Sequence, residues 1–214
     1  MPHNDYPTVQ ETFWAGAFGD GYRQRNRSED LLGRKTHLFA RILERTRGID
    51  SAMELGANIG LNLMAIRRLL PTTRLGAVEI NQEAAAALRQ SLPDAKCHVG
   101  SLLDLPDLGR WDLAFTSGVL IHIDPDHLPQ AYDALHRLAI RYICVAEYYN
   151  PTPVTVDYRG EENRLFKRDF AGDLLDRFGD LELVDYGFAY RRDPIFPQDD
   201  GTWFLLEKRQ PRSA

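Results

Sequence analysis

The sequence has only two cysteines, and it has no excess of basic residues. Cys97 and Cys144 lie in apolar, strand-like contexts at a spacing that matches no metal-binding pattern, so we interpret them as reduced core residues of a cytoplasmic protein. The net charge is −5, whereas a protein that binds nucleic-acid backbones broadly carries a basic excess. The charge therefore predicts no nucleic-acid partner bound through its phosphate backbone, and it leaves a local basic pocket open.

Long apolar runs are also missing. No run reaches the ~20 residues that a membrane-spanning helix needs, and the N-terminus lacks the charged and apolar regions of a signal peptide. The hydrophobic fraction of 43% and the charged fraction of 27% are typical of globular proteins. We therefore expect a soluble protein with no membrane partner, and the sequence leaves its oligomeric state open.

Short apolar runs alternate with helical patterns from residue 51 onward. Strands are predicted over 51–56, 74–80, 95–100, 111–118 and 142–149, and helices over 61–70, 82–92 and 126–139. This alternation predicts a parallel sheet with helices on both faces. The last two strands, 181–190 and 201–209, have no helix between them and form an antiparallel pair. The predicted fold is α/β and Rossmann-like, with seven mostly parallel strands.

The first fifty residues are organised differently. A helix is predicted to begin after Ser28 and to stop at Gly48. We therefore divide the chain into an N-terminal helical extension, 1–50, and an α/β body, 51–214. Within the body, 150–166 is rich in proline and charge and is predicted to be a loop before a helix over 167–179.

The first strand-to-helix turn, "ELGANIG", predicts the kind of ligand. Gly56 and Gly60 let the backbone turn sharply, but Asn58 replaces the middle glycine of a dinucleotide-binding turn. Glu54 would repel a pyrophosphate and suits a cation or an ammonium group. Glu79 closes the second strand, where an acidic side chain can accept ribose hydroxyls.

In three features the sequence resembles the class I S-adenosylmethionine-dependent methyltransferases: Glu54 before the first glycine, the G-x-x-x-G spacing, and Glu79 at the end of the second strand. The resemblance implies S-adenosylmethionine, a sulfonium cation with an amino-acid tail, as the cofactor. It implies a cofactor site that includes Ser101, which replaces an acid often found at that position, and His122. The other body residues that we assign to this site are Glu54, Gly56, Asn58, Gly60, Leu61, Glu79, Ile80, Leu102, Thr116, Ser117 and Gly118.

Several longer stretches resemble a narrower group: "FWAGAFGDGYRQRN", "FTSGVLIHI", "EYYNPTPV", "YRGEENRLFKRDFAGDLL" and "YGFAYRRDPIFPQDDGTWFLLEK". They are similar to the methylases associated with pseudaminic acid biosynthesis and to the phosphonate O-methyltransferase of dehydrophos biosynthesis. This resemblance implies O-methylation of a phosphonate in antibiotic biosynthesis. The alternative is a sugar or nonulosonate, such as a pseudaminic acid pathway intermediate.

Basic and aromatic residues near the predicted fifth strand suggest a small anionic substrate. Arg164, Lys167 and Arg168 can bind a phosphonate or carboxylate, and Tyr148 and Tyr149 follow the strand directly. Since side chains alternate along a strand, one of the two tyrosines should face the ligand. The alternative for the basic residues is a solvated surface run balanced by neighbouring acidic residues.

The stretch "HIDPDH" contains two histidines and two aspartates but predicts no metal site. Pro125 breaks it into a turn, and a third converging ligand is missing from the pattern. A phosphonate oxygen is already anionic and needs no general base. An alcohol acceptor would need one, and His122 or a tyrosine of the cleft is then the candidate.

The segment "TFWAGAFGDGYRQRN", residues 12–26, has neither a helical nor a strand pattern. We interpret it as a glycine-hinged lid in which Trp14 covers the cofactor. Tyr22 is assigned to the acceptor, and Arg25 to the cofactor carboxylate. The alternative is that the aromatic residues only dock the first helix onto the sheet.

Two other classes of function compete with a small-molecule methyltransferase. A nucleic-acid or protein methyltransferase is disfavoured by the acidic charge and by "TSGV" where base methyltransferases carry an Asn/Asp-Pro-Pro-Tyr motif. A cofactor-binding module without catalytic activity stays open.

Overall fold

The computed structural model describes residues 6–16, 18–19, 29–158 and 161–209. Its helices are α1 (Val9–Ala15), α2 (Glu29–Leu43), α3 (Leu61–Leu69), α4 (Gln82–Ser91), α5 (Leu128–Leu138) and α6 (Phe170–Arg177). Its strands are β1 (Ser51–Leu55), β2 (Arg74–Glu79), β3 (Lys96–Val99), β4 (Trp111–Ser117), β5 (Ala139–Glu147), β6 (Val154–Tyr158), β7 (Glu161–Lys167), β8 (Leu181–Ala189) and β9 (Gly201–Lys208). Within these residues, no helix has the length and apolar character to cross a membrane.

Seven strands form one sheet in the order β3-β2-β1-β4-β5-β9-β8. The first five pair in parallel, whereas β9 runs antiparallel between β5 and β8. The ladder between β8 and β9 shifts register between Leu183 and Asp185. The predicted fold, a mostly parallel seven-stranded sheet with an antiparallel C-terminal pair, is confirmed.

Helices cover both faces of the sheet. On one face, α2 buries Phe39 and Ile42 against Phe115 of β4, and the two phenylalanine rings lie 5.2 Å apart. Apolar residues of α3 and α4 complete that layer, and those of α5 and α6 pack on the opposite face. β1 and the middle of β4 are buried on both faces, as expected of central strands in a parallel sheet, even though β1 contains Ser51 and Glu54.

The region 150–166, predicted to be a loop, instead contains most of an antiparallel hairpin of β6 and β7. Leu165 and Phe166 explain the difference, because they are 4% and 8% exposed and anchor β7 against the body. The charged residues around them hid this apolar pair in the sequence. The hairpin ends at Lys167, so the following helix begins at Phe170, where Asp169 caps it, and not at Lys167.

Two predictions about the N-terminal region are also corrected. Residues 12–15 belong to helix α1, because Thr8 and Glu11 form a reciprocal capping box at its start. Helix α2 ends at Leu43 and not at Gly48, which lies in the connection to β1.

Candidate active site

A cavity of about 270 Å³ opens at the carboxyl ends of the parallel strands. Its wall is formed by the turns after β1, β2, β3, β4 and β5, by the loop between β8 and β9, and by side chains of α1 and α2. In open α/β sheets, ligands bind in the crevice where the strand order reverses, which here lies between β1 and β4. The topology therefore places a ligand site in this cavity.

The turn after β1 approaches the cavity with its backbone. Gly56 has φ +78°, and a Cβ built on it would lie 2.5 Å from Cγ2 of Val119, so no larger residue fits there. Gly60 has φ +83° and starts α3 beneath the side chain of Leu88. Asn58, at φ +48°, also adopts the left-handed conformation, so the turn is tight at three positions.

Glu54 lies beneath this turn at 0% exposure. Its Oε1 accepts a hydrogen bond of 2.5 Å from Nδ2 of Asn62 in α3. Its Oε2 and the Oδ1 of Asn62 are buried without a hydrogen-bond partner among the described residues. Burial raises the pKa of Glu54 to about 8, although the Asn62 amide and the Lys35 charge favour ionisation. The pair therefore presents unused acceptor atoms beside the turn.

Glu79 ends β2 and faces the cavity. Its carboxylate accepts the backbone N–H of Asn58 at 2.6 Å and that of Asn81 at 2.8 Å. Burial raises the pKa of Glu79, and these hydrogen bonds oppose the effect. Together with the backbone N–H of Ile80, these groups use three of the four acceptor sites of the carboxylate and leave one for a ligand.

Lys35 of α2 reaches into the cavity wall and is the one lysine or arginine in its described lining. Burial lowers the pKa of Lys35, and the charges of Glu54, Asp199 and Glu147 oppose that effect. The loop that carries Asp199 is held to α2, because Gln198 donates a hydrogen bond of 2.8 Å to the carbonyl of Arg34. A cation and several carboxylates thus share this end of the cavity.

Glu147 ends β5 and supports the turn after β4. Its carboxylate accepts the backbone N–H groups of Val119 at 3.0 and 3.1 Å, Leu120 at 3.2 Å and Ile121 at 3.4 Å. Burial raises the pKa of Glu147 to about 7, and these N–H groups favour the ionised form. The same turn carries His122, which is 8% exposed and lines the cavity.

An aromatic cluster from the N-terminal segment covers part of the cavity. The Trp14 ring lies 4.6 Å from the ring of His122 and 5.2 Å from that of Phe18. The side-chain amide of Asn81 contacts the carbonyl of Trp14 at 3.4 Å. Ser101 donates a hydrogen bond to Glu11 of α1, which connects the segment to the turn after β3.

The structure brings most of the predicted cofactor residues together. The cavity wall contains Trp14, Gly56, Asn58, Leu61, Glu79, Ile80, Ser101, Leu102, Ser117, Gly118 and His122. Glu54, Gly60 and Thr116 do not line it; Glu54 and Thr116 are fully buried nearby. Arg25 lies outside the described residues. Binding of a cofactor by these residues stays a prediction.

The predicted acceptor residues are more scattered. Tyr148 lines the cavity, whereas Tyr149 is 41% exposed beside Phe204. The Lys167 ammonium lies 5.2 Å from the centre of the Tyr148 ring, and Lys167 itself is not part of the cavity lining. Arg168 forms an ion pair of 2.7 Å with Asp173, and it is not part of the cavity lining.

The two other acceptor residues cannot be placed in the same way. Arg164 belongs to β7, but the position of its side chain is outside what the structure describes, and so is Tyr22 as a whole. In "HIDPDH", Asp124 caps a short 3₁₀ helix, Pro125–His127, that leads into α5. Across the described residues, no three His, Cys, Asp or Glu side chains converge as a metal site requires.

Among the cavity residues that were not predicted from the sequence are Glu11, Lys35 and Glu147. Lys35 sits in an amphipathic helix where a lysine is ordinarily solvated, and Glu147 is a single acid in an apolar strand. No local pattern marks either one. For Glu11 a signal existed, because Thr8 and Glu11 have capping-box spacing and predict the helix that carries them.

Comparison with known proteins defines the class of fold. No protein-family model matches the chain, and no curated protein matches its sequence. Many solved structures match its fold, and several of them are methyltransferases crystallised with S-adenosylmethionine or S-adenosylhomocysteine. The chain therefore has the Rossmann-like fold of the class I methyltransferases.

Three of these structures illustrate the likeness. The magnesium protoporphyrin IX methyltransferase of Synechocystis, with bound S-adenosylhomocysteine, has a TM-score of 0.71 at 12% identity, over 94% of this chain and 100% of that one. The 1,6-didemethyltoxoflavin-N1-methyltransferase of Burkholderia thailandensis has a TM-score of 0.70 at 15% identity, over 98% and 92%. An amino pentose methyltransferase of Micromonospora echinaspora has a TM-score of 0.63 at 12% identity, over 98% and 100%.

Proposed function

We propose that the chain is an S-adenosylmethionine-dependent O-methyltransferase acting on a small anionic metabolite, specifically a phosphonate of the kind methylated in antibiotic biosynthesis. The observation that carries the cofactor assignment is the placement of Glu54, Asn62 and Lys35 around one tight turn. An amino acid carries an ammonium and a carboxylate on the same carbon. A buried acid–amide pair with unused acceptor atoms, close to a lysine, is complementary to both groups.

The rest of the cavity supports the same cofactor. Gly56 and Asn58 form the tight turn that lines the cavity, and the Glu79 carboxylate keeps an acceptor site for a ribose hydroxyl. The described lining has more carboxylates than cations, which favours a cationic sulfonium over a dinucleotide. When bound, S-adenosylmethionine supplies a methyl group that is transferred in a single displacement. The chain's own residues hold the two reactants in line and exclude water.

The anionic acceptor is supported by Tyr148 and Lys167 and by the narrower sequence resemblance. Tyr148 lines the cavity, and the Lys167 ammonium beside its ring provides a positive charge near the cavity wall. The neighbouring solved structures act on a porphyrin, an amino pentose and a toxoflavin precursor, so their fold serves several acceptors.

One observation favours a second acceptor, an uncharged hydroxyl on a sugar or nonulosonate. The described lining contains one lysine and no arginine, whereas His122 is buried in the wall beside the turn after β4. An alcohol needs a base, and His122 is positioned to be one.

The test is transfer from labelled S-adenosylmethionine, with products read by mass spectrometry. We expect methylation of phosphonates in a panel that also contains nonulosonate sugars, nucleic acid and protein. Transfer to sugars alone would favour the second acceptor. Tight binding of S-adenosylhomocysteine with no transfer to any acceptor would contradict catalysis and support a binding module.

A further inference from the structure

Glu147 lies at a junction of three parts of the cavity wall. It is 4% exposed at the end of β5, and its two carboxylate oxygens accept three consecutive backbone N–H groups from residues 119–121. These N–H groups begin a 3₁₀ helix, Leu120–His122, whose own N-cap residue, Val119, provides no side-chain hydrogen bond. The carboxylate therefore satisfies donors that would otherwise be buried without partners.

The turn held by Glu147 contacts two other parts of the cavity wall, the glycine turn after β1 and the aromatic cluster of the N-terminal segment. Val119 packs against Gly56, since a Cβ on Gly56 would lie within 2.5 Å of it. His122, three residues later, contacts the ring of Trp14 from the N-terminal segment. A shift of the turn would thus move the wall against the glycine turn and against the aromatic cover.

We propose that Glu147 is a positioning residue, whose ionised carboxylate keeps the turn after β4 in its cofactor-binding shape and makes cofactor affinity depend on pH. The inference rests on the proposed S-adenosylmethionine site. An ionised carboxylate accepts all three N–H groups. Protonation converts one of the two carboxylate oxygens into an O–H donor. That oxygen then accepts the backbone N–H groups less well, so the turn loses part of its support.

The charges around Glu147 set the pH range. Burial and the N–H groups act in opposite directions and leave its pKa at about 7. The titratable groups coupled to its charge are Lys35 of α2, Tyr132 of α5 and Cys144 of β5. His122 lies on the turn itself, and Lys167 of β7 lies beside Tyr148, the next residue along the chain. The support that the ionised carboxylate gives the turn is therefore largest well above pH 7, is halved at about pH 7 and is lost progressively at lower pH.

The test measures the dissociation constant of S-adenosylhomocysteine by calorimetry between pH 5.5 and 8.5, a choice of range set by the pKa of about 7. For the wild type, we expect the affinity to fall as the pH is lowered through about 7, in addition to the change that Glu54, with a pKa of about 8, causes at higher pH. For Glu147→Gln, which cannot accept all three N–H groups, we expect about tenfold weaker binding at pH 8 and a flatter acidic limb. Glu207→Gln, a change of the same type in the Arg141–Glu207 ion pair outside the cavity lining, should match the wild type.

The outcomes separate this inference from the proposed function. A wild type that binds no S-adenosylhomocysteine overturns both. A wild type that binds it with the same pH profile as Glu147→Gln overturns the inference alone. Should the variant fail to fold by circular dichroism, the wild-type profile decides, since constant affinity from pH 5.5 to 8.5 contradicts a carboxylate with a pKa of about 7 in this position.

Discussion

Asn62 donates a hydrogen bond of 2.5 Å to one carboxylate oxygen of Glu54, and the other oxygen of Glu54 is buried with no partner among the described residues. Burying an acid in this way lowers the stability of the ligand-free protein, whereas the same acid raises the affinity for a ligand that brings a cationic group nearby. The relationship therefore predicts opposite effects on stability and on binding.

The first prediction concerns Glu54→Gln. The pKa of Glu54 in the folded protein, about 8, is above the ordinary carboxyl value of 4.5, so the folded state holds the proton to higher pH than the unfolded chain does. Stability is therefore lost as the pH rises from about 4.5 to about 8. At pH 8.5, above the folded pKa of about 8, the variant without ligand should melt higher than the wild type, by roughly 2–4 °C per kcal/mol recovered.

The same variant should bind S-adenosylhomocysteine about tenfold more weakly, because the buried carboxylate behind the cavity wall no longer provides a negative charge near the ligand's ammonium. Calorimetry measures the affinity and thermal scans measure the melting temperature. Glu44→Gln, an exposed change after α2, serves as the control and should alter neither. Unchanged binding by Glu54→Gln would remove Glu54 from the cofactor site.

The second prediction concerns Lys35→Met and uses two cofactors. If Lys35 binds the methionine carboxylate, the variant should lose about tenfold or more in affinity for S-adenosylmethionine. It should bind decarboxylated S-adenosylmethionine, which lacks only that group, as the wild type does. Lys96→Met, on an exposed position of β3, is the matched control. An equal loss for both cofactors would show that Lys35 does not recognise the carboxylate.

The third prediction tests the aromatic cover. Trp14→Ala should weaken S-adenosylhomocysteine binding about tenfold, because it removes a ring that packs on His122 and lines the cavity. Trp14→Phe, which keeps a ring, should recover most of the affinity. Deletion of residues 1–26 should abolish transfer and leave a folded body by circular dichroism. Full activity of the truncated protein would refute a covering role.

The fourth prediction separates Lys167 from Arg168. Lys167→Met should raise the KM for an anionic acceptor about tenfold and leave S-adenosylhomocysteine affinity unchanged, because its ammonium lies beside Tyr148, which lines the cavity. Arg168→Met should instead lower the melting temperature, since Arg168 pairs with Asp173 at the start of α6. Steady-state kinetics and thermal scans distinguish the two. A KM effect at Arg168 alone would reverse the assignment.

The fifth prediction uses His122→Ala to distinguish the two acceptor classes. With a phosphonate, kcat should stay within a few fold of the wild type, because the attacking oxygen is already anionic. With a sugar hydroxyl, kcat should fall by roughly 10²–10⁴-fold, as expected for loss of a general base. S-adenosylhomocysteine binding should be measured in parallel. Loss of phosphonate turnover with intact binding of both ligands would contradict a base-free transfer.

The part of the site that the sequence predicted lies in the turns that follow the parallel strands. Glu54, Gly56 and Glu79 could be predicted because an alternating strand–helix pattern fixes where each strand ends, and parallel strands end at one edge. The structure places Gly56 and Glu79 in the cavity wall and Glu54 buried outside its lining. The local sequence pattern was therefore enough to predict which residues form the turns after β1 and β2. It also sufficed to predict that one of two adjacent tyrosines faces the ligand, and the structure places Tyr148 in the cavity wall.

The residues that the sequence did not predict depend on contacts between distant parts of the chain. Lys35 lines the cavity only because α2 packs across the sheet, and Glu147 matters because its carboxylate reaches N–H groups 26–28 residues earlier. Neither relationship leaves a periodic trace in the sequence. The β6–β7 hairpin was missed for a different reason: its apolar anchor is two residues long and is surrounded by charges.

The register shift in β8 has a consequence for association between molecules. As the outermost strand beside β9, β8 has a row of backbone groups that another chain could pair with. The shift between Leu183 and Asp185 interrupts that row, so an added strand could not stay in register on both sides of it. Asp185 also forms an ion pair of 3.5 Å with Arg45, which places charge at the interruption. The β8 edge of the sheet is thus a poor template for an added strand from another molecule.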